Sequence, residues 1–354
     1  KKLKTFSIGF DDSSFDETKY ADEIATMIGS DHKKKIFNKK NLIEKIQKMT
    51  EIYSEPFGDS SALPTALVAE FAKENEINVV LTGDGGDEFL GGYQRYLWTE
   101  KLEKKKINKK LLKIIKTLVE KIGSKNINST HQKLKNIIPN SYNTPDIYSK
   151  IIKVIKILST NSSKNSYNYL VTNEKYKEII NFEDNNLNNN LDYYFEDKIF
   201  DNLDLKKKMM LYDINNYLSG DILVKVDRAC MQYSVESRSP FLDKDLIEFG
   251  CGLPDNLKFS KNSGKIIIKK ILLKYCGEKF INRPKMGFGI PLSSFLREDL
   301  KDWIFDLLHS QKIKENDLID IEKFKKIYEN HCIGLDNKEI IWSTISYLSW
   351  LYSN

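Results

Sequence analysis

The segment Val79-Val80-Leu81-Thr82-Gly83-Asp84-Gly85-Gly86-Asp87-Glu88-Phe89-Leu90-Gly91-Gly92-Tyr93 constrains the fold more than any other part of this chain. Its short apolar start reads as a buried parallel strand. The strand runs into glycines interleaved with the acids Asp84, Asp87 and Glu88. Open α/β sheets bind ligands at such a carboxyl end of a strand. Glycines let backbone N–H groups close on a phosphate. Carboxylates repel a bare phosphate, so a cation has to stand between them, and Mg²⁺ suits both sets of oxygens. The residues alone leave two readings open: a magnesium–nucleotide site, or an acidic glycine turn that starts a helix.

The flanking pattern alternates strands with helices. Thr5–Phe10 is a strand, and Asp11-Asp12-Ser13-Ser14 a turn. Ser14 or Asp16 can cap a helix that runs to Gly29, with Tyr20, Ile24, Met27 and Ile28 as its apolar stripe. Lys34–Phe37 is a second strand and Leu42–Tyr53 a helix, broken by Glu55-Pro56-Phe57-Gly58-Asp59. Ser60 or Ser61 opens the next helix, through Lys73, with Pro64 in its first turn. Val79–Thr82 follows as a strand. This order predicts an α/β fold with a parallel, doubly wound sheet.

Residues 101–200 differ. They are rich in Lys, Asn, Ile and Tyr, with helical apolar spacing at Leu111, Leu112, Ile114, Ile115 and Leu118 and a polar loop at Asn185–Asn190. They read as a large helical extension inserted in one domain spanning 1–354. From Lys206 onward the pattern is helical almost to the end, closing on an amphipathic helix with Trp342, Ile345, Leu348 and Leu351. No internal repeat is evident.

Lys plus Arg number 56 against 50 Asp plus Glu, a formal charge of +6 in 354 residues. The lysines concentrate in segments such as Lys101–Lys113 and Lys206–Lys208 and read as solvated helix faces. No nucleic-acid-binding motif accompanies them, so no nucleic-acid partner is expected. Cys230, Cys251, Cys276 and Cys332 lack zinc-ligand spacing and read as small buried hydrophobes in a reducing cytosol. No apolar stretch approaches the ~20 residues of a membrane helix. Lys1-Lys2-Leu3-Lys4 is not followed by a signal-peptide core. A cytoplasmic protein without a membrane partner is the expectation.

The Val79–Tyr93 segment resembles the signature of the synthetase domain of glutamine-dependent asparagine synthetase, Leu-Ser-Gly-Asp/Glu-Gly-x-Asp-Glu-x-x-Gly-Gly-Tyr. Thr82 departs from the usual serine by a methyl group. Two more stretches resemble the same family in the same order. One is Asp221-Ile222-Leu223-Val224-Lys225-Val226-Asp227-Arg228 with Glu236-Ser237-Arg238-Ser239-Pro240-Phe241-Leu242-Asp243. The other is Arg283-Pro284-Lys285-Met286-Gly287-Phe288-Gly289-Ile290-Pro291. The resemblance covers roughly 1–98 and 205–300.

The resemblance implies a fold of the adenine nucleotide alpha hydrolase-like type (PP-loop ATP pyrophosphatase), in which 101–200 is a variable insertion. It implies ATP and Mg²⁺ as cofactors, with L-aspartate, ATP and glutamine-derived ammonia giving L-asparagine, AMP and pyrophosphate through an acyl-adenylate. By the same resemblance, Asp87 binds Mg²⁺, while Asp84 contacts ammonia and the acyl-adenylate. Lys285 stabilises charge developing on the phosphates, and Lys265 contacts phosphate. Thr82 and Gly83 contact the nucleotide, Ile8 packs on adenine, and Tyr93 is an active-site tyrosine. Ser60 and Ser61 lie near the amino-acid substrate, while Asp227, Arg228, Glu236 and Arg238 are scaffold.

The family's Ser-Gly-Gly-x-Asp-Ser pyrophosphate loop and N-terminal glutaminase domain belong upstream of Lys1. The chain is therefore expected to be a C-terminal fragment that is inactive by itself, with the glutaminase domain and a second copy as partners. Two alternatives stand beside this. One is a relative that amidates another carboxylate, such as a polysaccharide uronic acid or a β-lactam or lasso-peptide precursor. The other is a nucleotide-binding fragment without activity.

Overall fold

The computed structural model describes residues 2–11, 16–103, 108–134, 147–160, 162–172, 175–181, 191–281 and 289–354. The chain forms two compact units. One comprises 1–92, 213–314 and 342–354; the other comprises 93–212 and 315–341.

The first unit begins with β1 (Lys4–Phe10), α1 (Thr18–Ile28) and β2 (Asp31–Phe37). β1 and β2 pair in parallel from Lys4↔Asp31 to Phe10↔Phe37. Gly29, at φ +64°, ends α1 in the left-handed conformation that suits glycine, and Ser30 N–H returns to the Ala25 carbonyl. Asp16 does bind the Thr18 N–H at 3.0 Å, but the expected apolar stripe is not core: Ile24, Met27 and Ile28 are exposed. The face that packs carries Thr18 and Ala25 instead.

The predicted helix 42–53 is two helices, α2 (Lys39–Gln47) and α3 (Met49–Tyr53), separated at Lys48. The Asn38 side chain caps α2, accepting the Asn41 N–H at 3.0 Å. Leu42, Ile46, Met49 and Tyr53 stay buried across the break. α4 (Ala62–Glu74) is buried along most of its length, and its alanines admit the close approach of other elements. Its Phe71 ring meets Phe6 of β1 edge-on at 5.6 Å.

β3 (Val79–Leu81) pairs in parallel with β4 (Glu236–Arg238), a strand that interrupts the expected run of helices. Among the described residues the strands form two separate two-stranded sheets, not one continuous doubly wound sheet. β3 is also not the buried strand its composition suggests, for Leu81 is 72% exposed and Val79 47%. A parallel strand is buried only where both faces are covered. Here only Val80 packs inward, against Ala69, Val226, Cys230 and Val235.

The second unit is helical. α5 (Gly86–Phe89) still belongs to the first unit; α6 (Gln94–Glu103), α7 (Lys109–Ile122), α8 (Ser124–Lys133), α9 (Ile147–Ser159) and α10 (Ser163–Val171) follow it. α7, α8 and α9 pack on one another. Tyr167 is fully buried between the rings of Phe195 and Tyr212. The polar loop 185–190 lies outside the described residues. The chain returns to the first unit through a π-helix, Asp213–Ile222, that leads into Leu223–Gln232. The last helix, Lys338–Ser353, buries Trp342, Ile345 and Leu348, while Leu351 is half-buried. Of the four cysteines only Cys230 is buried; Cys332 is exposed, so the expectation of four core thiols fails.

Candidate functional site

The glycine–acid turn is built by two distant stretches of chain. Beyond β3, Thr82 N–H still donates to the Arg238 carbonyl at 2.9 Å. The Ser239 hydroxyl donates to the Asp84 carbonyl at 2.6 Å. Gly85 sits at φ +92°, where an L side chain is strained, and a Cβ on it would stand 2.7 Å from Leu242. Gly86 has the Phe241 ring in the same position at 3.2 Å. The stretch Glu236–Asp243 is therefore the bed on which the turn lies. Phe89 and Leu90, buried against Leu253, anchor the short α5 behind it.

Asp87 is directed at Lys265, Nζ to Oδ1 2.8 Å, with both side chains about a quarter to a third exposed (26% and 30%). The pair is thus open to solvent and to a ligand. Lys265 is held at φ +56°, a left-handed backbone rare for lysine, and such strain persists only where neighbours impose it. Here the neighbours are glycines. Lys265 N–H donates to the Leu90 carbonyl at 3.2 Å, and a Cβ on Gly264 would fall 1.8 Å from the Gly91 carbonyl oxygen. A Cβ on Gly92 would fall 1.7 Å from Asp87 Oδ1 and 2.4 Å from Lys265 Cε.

This crossing makes a stability prediction. Gly264→Ala drives a methyl into backbone and is expected to cost ~1–3 kcal/mol. Gly83→Ala, which meets nothing within 4 Å, is expected to stay within ~0.5 kcal/mol of wild type. Urea denaturation of both variants reads the difference; equal costs would mean that the crossing is not tight.

A second polar cluster was not expected from the sequence. Lys225, nearly buried, donates to Asp59 Oδ2 at 2.7 Å and to the Ser61 hydroxyl at 2.8 Å. Ser61 in turn donates to Asp59 through its backbone N–H and its hydroxyl. The Tyr53 hydroxyl donates to the Ala62 carbonyl at 3.1 Å, and burial holds it protonated far above the usual phenol range. Burial pushes the Asp59 carboxyl up, but Lys225 and Ser61 outweigh it and hold the group below its ordinary value. Burial and then the Asp59 charge push Asp221 the other way, to about 6. The available signal was a lysine inside the apolar run Ile222-Leu223-Val224-Lys225-Val226.

The sign of the Asp221 effect is fixed by these shifts. Its folded value lies above the ordinary 3.8, so its stabilising contribution is complete below that value and is lost as pH rises through about 6. Asp59, lowered, works oppositely and loses its contribution as pH falls. Asp221→Asn mimics the protonated form. It is expected to raise Tm by at least about 2 °C at pH 8, with the gain shrinking as pH falls from 6 toward 4. A gain independent of pH in thermal melts would contradict the assignment.

The other expected site residues are placed as follows. Ile8 is buried on β1, in the sheet that does not carry the turn. Thr82, Gly83 and Asp84 lie on the turn itself; Asp84 contributes to pushing up the Cys230 thiol, whose main cause is burial. Tyr93 lies under the Arg95 guanidinium at 4.1 Å and meets Tyr96 edge-on. Arg228 donates to the Tyr53 carbonyl and pairs with Glu55 at 3.2 Å. Glu236 and Arg238 pair with each other at 2.7 Å on exposed β4. Lys285 lies outside the described residues. The structure thus brings Asp87 and Lys265 together.

Comparison with known proteins identifies the family of the chain. The family model described as asparagine synthase matches residues 1–352. The chain is 27% identical over 356 residues to asparagine synthetase [glutamine-hydrolyzing] 1 of Bacillus subtilis, covering 98% of this chain and 52% of that protein. It is 25% identical over 358 residues to a putative asparagine synthetase [glutamine-hydrolyzing] of Mycobacterium bovis, covering 99% and 50%. Against a putative asparagine synthetase [glutamine-hydrolyzing] 2 of Methanocaldococcus jannaschii it is 34% identical over 241 residues, covering 65% and 40%. The chain spans about half the length of the first two relatives. With the family model matched across nearly all of its length, the chain belongs to the asparagine synthase family.

Proposed function

We propose that this chain is the ATP-using, amide-forming half of an asparagine synthetase, with L-aspartate as the acceptor and a PP-loop type of fold. The observation that carries the reading is the Asp87–Lys265 pair at 2.8 Å, with Asp87 on the short helix α5 that follows a parallel strand and a glycine–acid turn, in a chain of this family. The names of the relatives, glutamine-hydrolysing synthetases, support ammonia delivery by a further domain.

The site fits magnesium. Among the described residues no group of three or more His, Cys, Asp and Glu could hold a metal as a protein cage. Mg²⁺ does not require one, since it commonly takes one or two carboxylates with substrate phosphates. Asp87 is a partly exposed carboxylate, and the space beside its Oδ1 exists only because Gly92 has no side chain. When bound there, the ion would neutralise charge on the pyrophosphate portion of ATP. Asp87 would hold it, and Lys265 would turn from Asp87 to the phosphate oxygens.

In the proposed reaction the aspartate β-carboxylate attacks the α-phosphorus of ATP, and the bond to pyrophosphate breaks. Ammonia then attacks the acyl carbon, AMP leaves, and the nitrogen loses a proton. In this proposal Asp84 would accept that proton. The protein's task is mainly positioning and charge stabilisation.

A direct test compares the chain alone with the same chain joined to an upstream half bearing the pyrophosphate loop. The chain alone is expected to release AMP from ATP, aspartate and ammonium more slowly by at least ~10², because even one lost transition-state donor costs that much. Comparable rates would refute the dependence on that loop.

A further inference from the structure

α7 carries an apolar stripe that the rest of the described chain leaves open. Leu111, Ile114, Ile115, Leu118 and Ile122 recur at helical spacing on one face and are between 38 and 57% exposed. Among the described side chains of this helix only Leu112 is buried, and α7 packs against α9 and α8. An exposed apolar row of this length marks an interaction surface. Lys110, Lys113 and Lys121 stand exposed along one flank of the stripe. Across the described parts of the α7–α9 cluster, residues 108–134 and 147–159, there are ten lysines and one acid, Glu120. That acid faces Lys116 at 3.7 Å. The cluster is therefore more positive than the whole chain, whose formal charge is +6.

We infer that the α7 face is a docking surface for an anionic lipid bilayer, with α7 lying in the plane of the headgroups. The charge selects the occupant. A helix with aliphatic residues on one face and lysines beside them is matched by a surface that is apolar inside and negative outside. A second copy would bring the same lysines against each other. A nucleic acid would leave the aliphatic row unburied, and α7 has no aromatic residue on which a base could stack. Among the described residues no helix is long and apolar enough to cross a membrane, so the contact is one of lying on the surface.

The test is co-sedimentation of the purified chain with vesicles of phosphatidylcholine alone and of phosphatidylcholine with phosphatidylglycerol. Binding is expected to the anionic vesicles, weakened by salt. The triple variant Leu111→Ser, Ile114→Ser, Leu118→Ser is expected to lose at least tenfold in partitioning. Lys110→Glu, Lys113→Glu, Lys121→Glu is expected to lose at least ~100-fold, since each lysine near such a surface is worth about fivefold. Circular dichroism should show both variants folded, because every replaced side chain is exposed; if the serine variant is not, Ile114→Ser and Leu118→Ser singly carry the test. Equal binding to neutral vesicles, or wild-type binding in the serine variant, overturns the inference. So does an absence of vesicle binding, whether the chain instead self-associates through the stripe or binds RNA through the lysines.

Discussion

Asp87→Asn is expected to cut magnesium-dependent pyrophosphate release by about two to three orders of magnitude, on the scale of losing one transition-state contact. The measurement is pyrophosphate release across a magnesium titration in the proposed whole enzyme. The amide keeps the shape of the carboxylate but loses its attraction for the cation. It also breaks the pair with Lys265. The fold should tolerate the change, because a partly exposed ion pair contributes only ~0–1 kcal/mol. A lower rate with an unchanged melting temperature, together with a raised magnesium requirement, is the expected pattern. An unchanged rate at every magnesium concentration would remove Asp87 from the site.

Lys285→Ala is expected to have the larger effect, a loss of at least ~10³ in adenylate formation, with ATP binding weakened far less. Charge on the phosphate oxygens and on the leaving pyrophosphate rises in the transition state, so a fixed ammonium is worth more there than in the ground state. Lys285→Arg should rescue poorly, since a planar guanidinium cannot occupy the place of a compact point charge. Single-turnover pyrophosphate release beside an ATP binding isotherm separates the two quantities. Near-normal release by the alanine variant at saturating ATP and aspartate would leave Lys285 an ordinary surface lysine, and a variant that fails to fold would make it structural.

What could be read from the sequence follows the range of the interactions concerned. β1 shows in the apolar pattern of Thr5–Phe10 because its inward residues are near neighbours in the chain. β2 begins three residues earlier than its apolar end suggests, because Asp31-His32-Lys33 becomes strand by pairing with β1 and not by its own composition. β4, Glu236-Ser237-Arg238, has no strand pattern and exists through β3. The glycines and acids of the turn were legible because one short segment carries them. The partner of Asp87 could be located only loosely. Lys265 comes to it through the contact of Gly264 with Gly91, 173 residues apart in the chain. Asp59 and Lys225, separated by 166 residues, left no local signal of their pairing.

The proposed chemistry has one signature that no other route to the amide shares. Aspartate labelled with oxygen-18 in its β-carboxylate would pass one labelled oxygen to AMP as the acyl–adenylate bond breaks. Mass spectrometry of the nucleotide product of the whole enzyme, supplied with ATP, magnesium and ammonium, is therefore the most direct measurement. Label in AMP, with one AMP formed per asparagine, is the predicted result. Formation of ADP with label in inorganic phosphate, or AMP without label, would contradict it.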